Sequence, residues 1–284
     1  MVRGFVVPGV VLAAAALLAT SCTRVSDDGS SRPAAVTRSA SAAPSASAAP
    51  TGTPSASSSA TPTPTRTHDP LDLGDRTFRV GAKGKRVKAL QLRLAKLHYD
   101  PGPVDSHFGP TTLMAVWAFQ KVNGIKPTGT IGHRTRAAFD DPRQPRVLKP
   151  KGPGDRVEIN LTEQVLTVYH HGGIRLISHI SSGSGLHYCD TYKDDATGRT
   201  GTACGVAVTP TGDYRAGRRI AGWRHSKLGY LYNPVYFNGG IAVHGEPSVP
   251  VYPASHGCVR IPMHTSTIFP RIVETGERIY VRRP

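Results

Sequence analysis

Residues 26–70 set the strongest limit on what this chain can fold into. They contain no aromatic residue and a single large aliphatic residue, Val36, within a run of Ala, Ser, Thr and Pro. Because this small apolar surface cannot offset the conformational entropy lost on ordering, we expect the segment to be disordered. At about 100 residues per domain, the roughly 210 residues that follow it are enough for two small folded domains.

The first 21 residues have the pattern of a cleaved export signal. One basic residue, Arg3, precedes an apolar run over residues 5–19, and three small residues end the segment. At about 1.5 Å per residue, the run spans about 22 Å, which is shorter than the ~30 Å core of a bilayer. Cys22 follows directly. This arrangement resembles the lipobox of bacterial lipoproteins, which implies a lipid on Cys22; cleavage at the same bond without lipidation is the alternative.

Residues 76–141 show the spacing of a small three-helix domain. Apolar residues recur every three or four positions along one predicted helix face: Val87, Leu90, Leu94 and Leu97. This spacing predicts a helix that begins near Gly84. A second helix is predicted from Pro110 to Asn123, because proline suits a first helical turn, and a third over residues 132–139.

The same region carries a motif with a defined order and spacing. Its elements are Gly81-x-x-Gly84-x-x-Val87-x-x-Leu90-Gln91, Phe108-Gly109-x-Thr111, Phe119-Gln120 and Gly129-x-x-Gly132-x-x-Thr135. The pattern resembles the peptidoglycan-binding domain type 1, which implies a wall-binding module without catalytic activity. A helical bundle that only packs against its neighbour is the alternative.

Two connecting segments and a β domain complete the predicted organisation. Residues 22–75 are interpreted as a tether rich in Ala, Ser, Thr and Pro, and residues 142–154 as a shorter linker. From residue 155 to 284 the apolar period changes to two, as in the segments 156–161 and 164–169. Short alternating segments between turn residues predict an antiparallel β domain.

The net charge of +16 indicates what kind of molecule the protein binds, and it does not constrain the fold. It arises from 35 Lys and Arg against 19 Asp and Glu, spread along the chain without a basic helix or an Arg-rich arm. Such a charge suits nucleic acid in general. Because the chain has the pattern of an exported protein, we expect an anionic cell wall polymer as the partner, and no nucleic acid.

The stretch 239–262 concentrates the residues suited to chemistry. It places His244, His256 and Cys258 within fifteen residues, framed by Gly and Pro. A thiol attacks carbonyls as the thiolate, and a neighbouring imidazole can take its proton. Gly257 permits a tight turn whose main-chain N–H groups could face an oxyanion. Two other interpretations remain: a core turn with buried side chains, and a zinc site formed by the two histidines and the cysteine.

The sequence motifs His244-Gly and Ser255-His-Gly-Cys-Val-Arg260 resemble those of the L,D-transpeptidase catalytic domain, the YkuD family. The likeness includes the Thr209-Pro-Thr-Gly-Asp-Tyr214 block and Tyr236-Phe-Asn-Gly-Gly240. It implies a multidomain chain in which a small all-α wall-binding domain precedes a mainly antiparallel β-sandwich, with no metal and no cofactor.

The resemblance also implies roles for individual residues. Cys258 is the expected nucleophile and His244 the general base and acid, oriented by the backbone carbonyl of Gly245. His256 and Gly257 are expected to shape the loop and the oxyanion region. The expected substrate-binding residues are Arg260, Ser255, Tyr236, Phe237 and Asn238.

The implied reaction is acyl transfer on peptidoglycan stem peptides, and hence a role in wall synthesis and cell shape. A thioester formed from a stem tetrapeptide passes its acyl group to a diamino-acid amine, giving a 3→3 cross-link. Hydrolysis of the same thioester, an L,D-carboxypeptidase activity, is one alternative, and a non-catalytic wall-binding protein is another. The expected location is the cell envelope, with the chain lipid-anchored on the outer face of the cytoplasmic membrane and reaching into the wall.

The four cysteines fit this hypothesis. It assigns Cys22 to lipid and Cys258 to catalysis, which leaves Cys189 and Cys204 in one long loop rich in Gly and Asp. An extracytoplasmic setting permits these two to form a disulfide. Closing a loop of ~15 residues is worth about 3 kcal/mol in the chain-entropy model.

Overall fold

A computed structural model of the chain describes residues 73–194 and 197–284. The predicted export signal, nearly all of the tether and Cys22 lie outside the described residues. Within the described ranges, no helix is both long enough and apolar enough to cross a membrane.

Three short helices form the first part of the described chain. They are α1 (Lys85–Lys96), α2 (Pro110–Val122) and α3 (His133–Asp140). Gly84, with φ 105°, precedes α1, and Pro110 occupies the first turn of α2. Leu73 already packs in the core of this domain, although it falls in the range assigned to the tether. The predicted helices agree with these bounds to within one or two residues.

Eleven strands and a fourth helix follow in the described ranges. They are β1 (Arg156–Asn160), β2 (Val165–His170), β3 (Gly173–His179), β4 (His187–Lys193), β5 (Thr200–Val206), β6 (Gly212–Arg215), β7 (Trp223–Ser226), β8 (Gly229–Asn238), β9 (Ile241–Glu246), β10 (Val259–Pro262), α4 (Met263–Ile272) and β11 (Arg278–Arg282). The predicted change of period after the linker is therefore confirmed as a change from helix to strand.

The strands form two main sheets and a separate hairpin. The five-stranded sheet has the order β3-β2-β1-β11-β6, and the four-stranded sheet the order β10-β9-β8-β7. Each sheet contains one parallel pair, β1 with β11 and β9 with β10, and the other pairs are antiparallel. One hydrophobic core takes side chains from both sheets and from α4. The predicted fold class, a helical domain followed by a mainly antiparallel β domain, is confirmed.

The hairpin of β4 and β5 is the main departure from the expected local structure. The Gly and Asp content predicts one long loop around Cys189 and Cys204, but residues 187–193 pair with residues 200–206 over seven positions. Along both strands half-buried residues alternate with exposed ones, and none is fully buried. Without an apolar face, the segment lacks the alternation by which strands are recognised in a sequence.

The helical domain and the β domain share apolar and polar contacts. Val165 and Ile177 of the five-stranded sheet belong to the core of the helical domain. Lys121 Nζ lies 3.2 Å from the carbonyl oxygen of Gln164 and 2.8 Å from Nδ1 of His179. His179 Nε2 in turn lies 2.9 Å from the carbonyl oxygen of Val249, in the loop between β9 and β10.

Candidate active site

The parallel pair of β9 and β10 brings the predicted catalytic residues to one place. In its register, Val243 lies opposite Val259 and His244 opposite Arg260. Cys258 directly precedes β10, so its side chain lies beside the part of β9 that carries His244. Both side chains line one open cavity of about 670 Å³.

The backbone before Cys258 is held in a conformation that only glycine tolerates. Gly257 has φ +140°, and a Cβ there would lie 2.8 Å from the carbonyl oxygen of Val208. The buried hydroxyl of Thr209 donates to the carbonyl oxygen of Gly257 at 2.6 Å and accepts from the amide of Gly183 at 2.8 Å. Thr209 thus connects the loop to a neighbouring segment of the domain.

Ser255 closes the same turn. Its hydroxyl donates to the carbonyl oxygen of Cys258 and accepts from the amide of Gly257 at 3.1 Å. Ser255 lines the cavity, but these bonds within the loop occupy its hydroxyl. The Gly257 amide, expected to face an oxyanion, is also engaged. In the described part of the chain, the Cys258 amide donates to no protein acceptor.

His244 is held in a single orientation and tautomer. The side chain is buried, with 4% of its surface exposed, and its Nδ1 lies 3.0 Å from the carbonyl oxygen of Gly245. A carbonyl only accepts, so Nδ1 carries the proton and Nε2 is left as the basic nitrogen. Burial lowers the pKa of His244 to about 4; the bond to Gly245 raises this pKa and the charge of Arg260 lowers it further.

Cys258 is a free, half-buried thiol at the edge of the cavity. Its Sγ lies 3.8 Å from the carbonyl oxygen of Gly240. Burial raises the pKa of this thiol, while the amide of Ala242 and the charge of Arg260 lower it. Burial therefore favours a neutral thiol beside a neutral imidazole over the expected thiolate–imidazolium pair.

The remaining candidates for substrate binding fall into two groups. Arg260 and Tyr236 line the cavity, and the guanidinium of Arg218 lies 4.2 Å from the centre of the Tyr236 ring. Phe237 does not line it: its side chain packs in the main core, with its ring 5.4 Å from that of Tyr214. Asn238 is also absent from the cavity lining. The expectation that both line the cleft is therefore corrected.

The β4–β5 hairpin contains the predicted disulfide and also contributes residues that the sequence did not indicate. A disulfide joins Cys189 to Cys204, which face each other in the hairpin. Next to this bond, Asp190 Oδ2 lies 2.8 Å from Nε2 of His256. Tyr188 packs edge-on against His256 with a ring separation of 4.7 Å and lines the cavity. The hairpin therefore forms part of the cavity wall beside the loop that carries Cys258.

A metal site formed by the two histidines and the cysteine finds no support in this geometry. The possible ligand atoms of His244, His256 and Cys258 are not grouped together in the described ranges, and His256 contacts Asp190 instead. Among the described residues, such a group occurs elsewhere, in the exposed side chains of Asp155, His170 and His171.

Comparison with known proteins agrees with this architecture. Residues 83–139 match the model of a peptidoglycan binding domain, and residues 154–281 match that of the YkuD L,D-transpeptidase catalytic domain. An uncharacterized protein of Kitasatospora aureofaciens is 48% identical over 58 residues, a match that covers 20% of this chain and 49% of that protein. The chain thus spans about half the length of this curated relative.

Two solved structures align with about three quarters of the chain, at different levels of similarity. An L,D-transpeptidase from Stackebrandtia nassauensis is 22% identical, with a TM-score of 0.41 over 73% of this chain and 96% of that one. An L,D-transpeptidase from Xylanimonas cellulosilytica is 36% identical, with a TM-score of 0.64 over 74% of this chain and 98% of that one. At that identity and coverage, the chain belongs to the L,D-transpeptidase family.

Proposed function

We propose that the protein is a cysteine-dependent L,D-transpeptidase that forms 3→3 cross-links between peptidoglycan stem peptides. One observation supports this most directly. His244, whose Nδ1 is held by the carbonyl of Gly245, and the free thiol of Cys258 line the same cavity. A cysteine nucleophile with an oriented histidine is the arrangement that acyl transfer requires.

In the first half-reaction, the sulfur of Cys258 attacks the carbonyl carbon between the third and fourth residues of a stem tetrapeptide. His244 Nε2 takes the thiol proton as the C–S bond forms. The resulting oxyanion is stabilised by the Cys258 amide, which is free of protein acceptors in the described part of the chain. The C–N bond then breaks, His244 returns the proton to the leaving nitrogen, and free D-alanine departs from a thioester.

In the second half-reaction, the amine of a diamino acid on another stem attacks the thioester carbonyl. His244 accepts a proton from this amine, and the C–S bond breaks as the new amide forms. The sulfur leaves as a thiolate and regains the proton from His244. The thioester conserves the free energy of the original amide, so the step needs no nucleotide. Water in place of the amine gives the carboxypeptidase reaction.

The rest of the chain is suited to placing the catalytic domain at the cell wall. The helical domain, which matches a peptidoglycan binding domain, is proposed to hold the catalytic domain on its polymer. Export through residues 1–21, a tether that begins at residue 22 and ends before Leu73, and a lipid on Cys22 complete the proposal. The net charge of +16 favours contact with anionic wall polymers.

Two measurements test the proposal. The protein is incubated with a stem tetrapeptide, with and without an acceptor amine, and D-alanine and cross-linked dimer are quantified. We expect D-alanine release in both cases and dimer only with the acceptor. Dominant hydrolysis in both would support the carboxypeptidase instead, and no release at all would support a non-catalytic wall-binding protein.

The second measurement identifies the nucleophile. The protein is exposed to a carbapenem, a drug class to which the cysteine of this family is sensitive, and its mass is determined before and after digestion. We expect one adduct, mapped to Cys258 and absent from the Cys258→Ala variant. An adduct on another residue would overturn the assignment.

A further inference from the structure

The cavity presents two opposite charges that the protein itself leaves unpaired. Glu246 follows His244 by two residues on β9, and both side chains line the cavity. Arg260 lies opposite His244 on β10 and also lines the cavity. Within the described ranges, neither the Glu246 carboxylate nor the Arg260 guanidinium makes a hydrogen bond or an ion pair. Both side chains are partly exposed to the open space between them and solvent.

The two groups are close enough to influence each other without being joined. The charge of Arg260 lowers the pKa of Glu246, while partial burial raises it. Unpaired charges partly removed from water are unfavourable unless a ligand compensates them. A guanidinium offers a planar fork of N–H donors to a carboxylate, and a carboxylate accepts from an ammonium.

Apart from His244, the other basic side chains at this cavity contact groups of the protein. His256 is engaged with Asp190, and the ammonium of Lys227 lies 5.0 Å from the centre of the Tyr192 ring. Glu246 and Arg260 are therefore the oppositely charged pair beside His244 and Cys258 that has no such contact in the described part of the chain. A ligand that carries a single charge can satisfy only one of them.

We propose that Glu246 and Arg260 together bind the zwitterionic end of the diamino acid's side chain, a carbon that bears both an ammonium and a carboxylate. Glu246 accepts from the ammonium and Arg260 donates to the carboxylate. Diaminopimelate has such an end, whereas lysine ends in an ammonium alone and the side-chain carboxamide of diaminopimelate lacks the carboxylate. This inference rests on the proposed function, since it names the group that the same cavity recognises.

Four donor tetrapeptides that differ only in the third residue separate the two contacts. The third residue is diaminopimelate, its side-chain carboxamide, lysine, or 2-aminopimelate, which keeps the carboxylate but lacks the ammonium. D-alanine release is measured for the wild type, Glu246→Gln, Arg260→Gln and, as a control, Glu274→Gln. Glu274 is an exposed carboxylate outside this cavity.

We expect the wild type to prefer the diaminopimelate peptide. Because the site is open to solvent, each lost charge contact should lower kcat/KM about two- to fivefold. Glu246→Gln should show this loss on the three peptides with an ammonium and spare the 2-aminopimelate peptide. Arg260→Gln should show it on the two peptides with a carboxylate, and Glu274→Gln should match the wild type. Equal losses on all four peptides would overturn the inference, and so would unchanged D-alanine release together with unchanged discrimination between acceptors.

A second arm distinguishes the donor stem from the acceptor stem as the source of this group. The 2-aminopimelate peptide serves as a donor that cannot act as an acceptor, and tripeptides ending in diaminopimelate or lysine serve as acceptors. Loss of discrimination between the diaminopimelate and lysine acceptors in Arg260→Gln, with unchanged D-alanine release, assigns the pair to the acceptor. Failure of the proposed function itself would look different, because the wild type would then release no D-alanine from any peptide.

Discussion

Oδ2 of Asp190 lies 2.8 Å from Nε2 of His256, and this contact joins the β4–β5 hairpin to the loop that presents Cys258. Asp190 is adjacent to the disulfide of Cys189 and Cys204, while His256 precedes Cys258 by two residues. The conformation of the hairpin and the position of the Cys258 sulfur are therefore linked through one pair of side chains.

Removing the disulfide should loosen the hairpin first. In a Cys189→Ser, Cys204→Ser variant, the hairpin loses a constraint worth up to about 3 kcal/mol for a loop of this length. We expect faster hydrogen exchange in β4 and β5, unchanged exchange in β1 and β9, and slower acylation of Cys258. Asp190→Asn, with the disulfide intact, should slow acylation while the exchange of the hairpin stays slow. Exchange in β4 and β5 that is unaffected by the double substitution would contradict this account.

The buried His244 should shift the acid limb of the reaction well below the ordinary histidine range. Only neutral imidazole accepts the thiol proton, and burial lowers the pKa of His244 to about 4. Acylation should therefore stay near its plateau at pH 5.5 and fall with a midpoint near pH 4. The measurement is the acylation rate constant against pH, with circular dichroism at each pH to show that the protein is folded. A midpoint near 6.5 would show that burial does not control this residue.

Gly257→Ala should impair both folding and acylation. The new Cβ would lie 2.8 Å from the carbonyl oxygen of Val208, at a φ of +140° that other residues avoid. Such backbone strain costs on the order of 1–3 kcal/mol, before any displacement of the bond from Thr209. Urea unfolding and the acylation rate measure the two effects. Gly173→Ala is the matched control, because its nearest neighbour would be at an ordinary 3.6 Å; equal behaviour of the two variants would contradict the prediction.

Lys121 makes the stability of the protein depend on pH in a defined direction. Burial lowers its pKa to about 7, against 10.5 in the unfolded chain, so the unfolded chain holds one more proton between these values. The free energy of unfolding should therefore rise with pH in this window, by up to about 1.4 kcal/mol per pH unit. Burial also lowers the pKa of His179 to about 3, which gives the same sign between pH 3 and 6.5.

The Lys121→Met variant isolates the first contribution. It should lose the rise above pH 7 and keep the rise below 6.5, as measured by urea unfolding from pH 4 to 10. A wild-type curve that is flat or falling between pH 7 and 10 would show that Lys121 keeps its charge in the folded protein.

Local periodicity was enough to predict the helical domain, because Val87, Leu90 and Leu94 lie on one face of α1 and are buried. The motif around Cys258 likewise indicated its partner His244. In contrast, one expectation conflicted with strand geometry: successive side chains of a strand point to opposite faces, so Tyr236 and Phe237 of β8 could not both line the cavity.

Other parts of the site depend on contacts between distant segments, which a single sequence does not reveal. Asp190 meets His256 across 66 residues, within a hairpin whose polar strands carry no apolar alternation. Glu246 is only two residues from His244 in the sequence. That it lies near Arg260 follows from the parallel register of β9 and β10. Burial, which decides the protonation of His244 and Cys258, is also a property of the folded chain.

Val165 and Ile177 belong to the catalytic domain by sequence and to the core of the helical domain by packing. Separating the two domains would expose these side chains to water. Because that exposure is unfavourable, the two domains resist a hinge motion between them. A glycan strand held by the helices would then offer its stems to Cys258 at one fixed offset. The geometry of the enzyme, rather than chance encounter, would in that case set which neighbouring stems become joined.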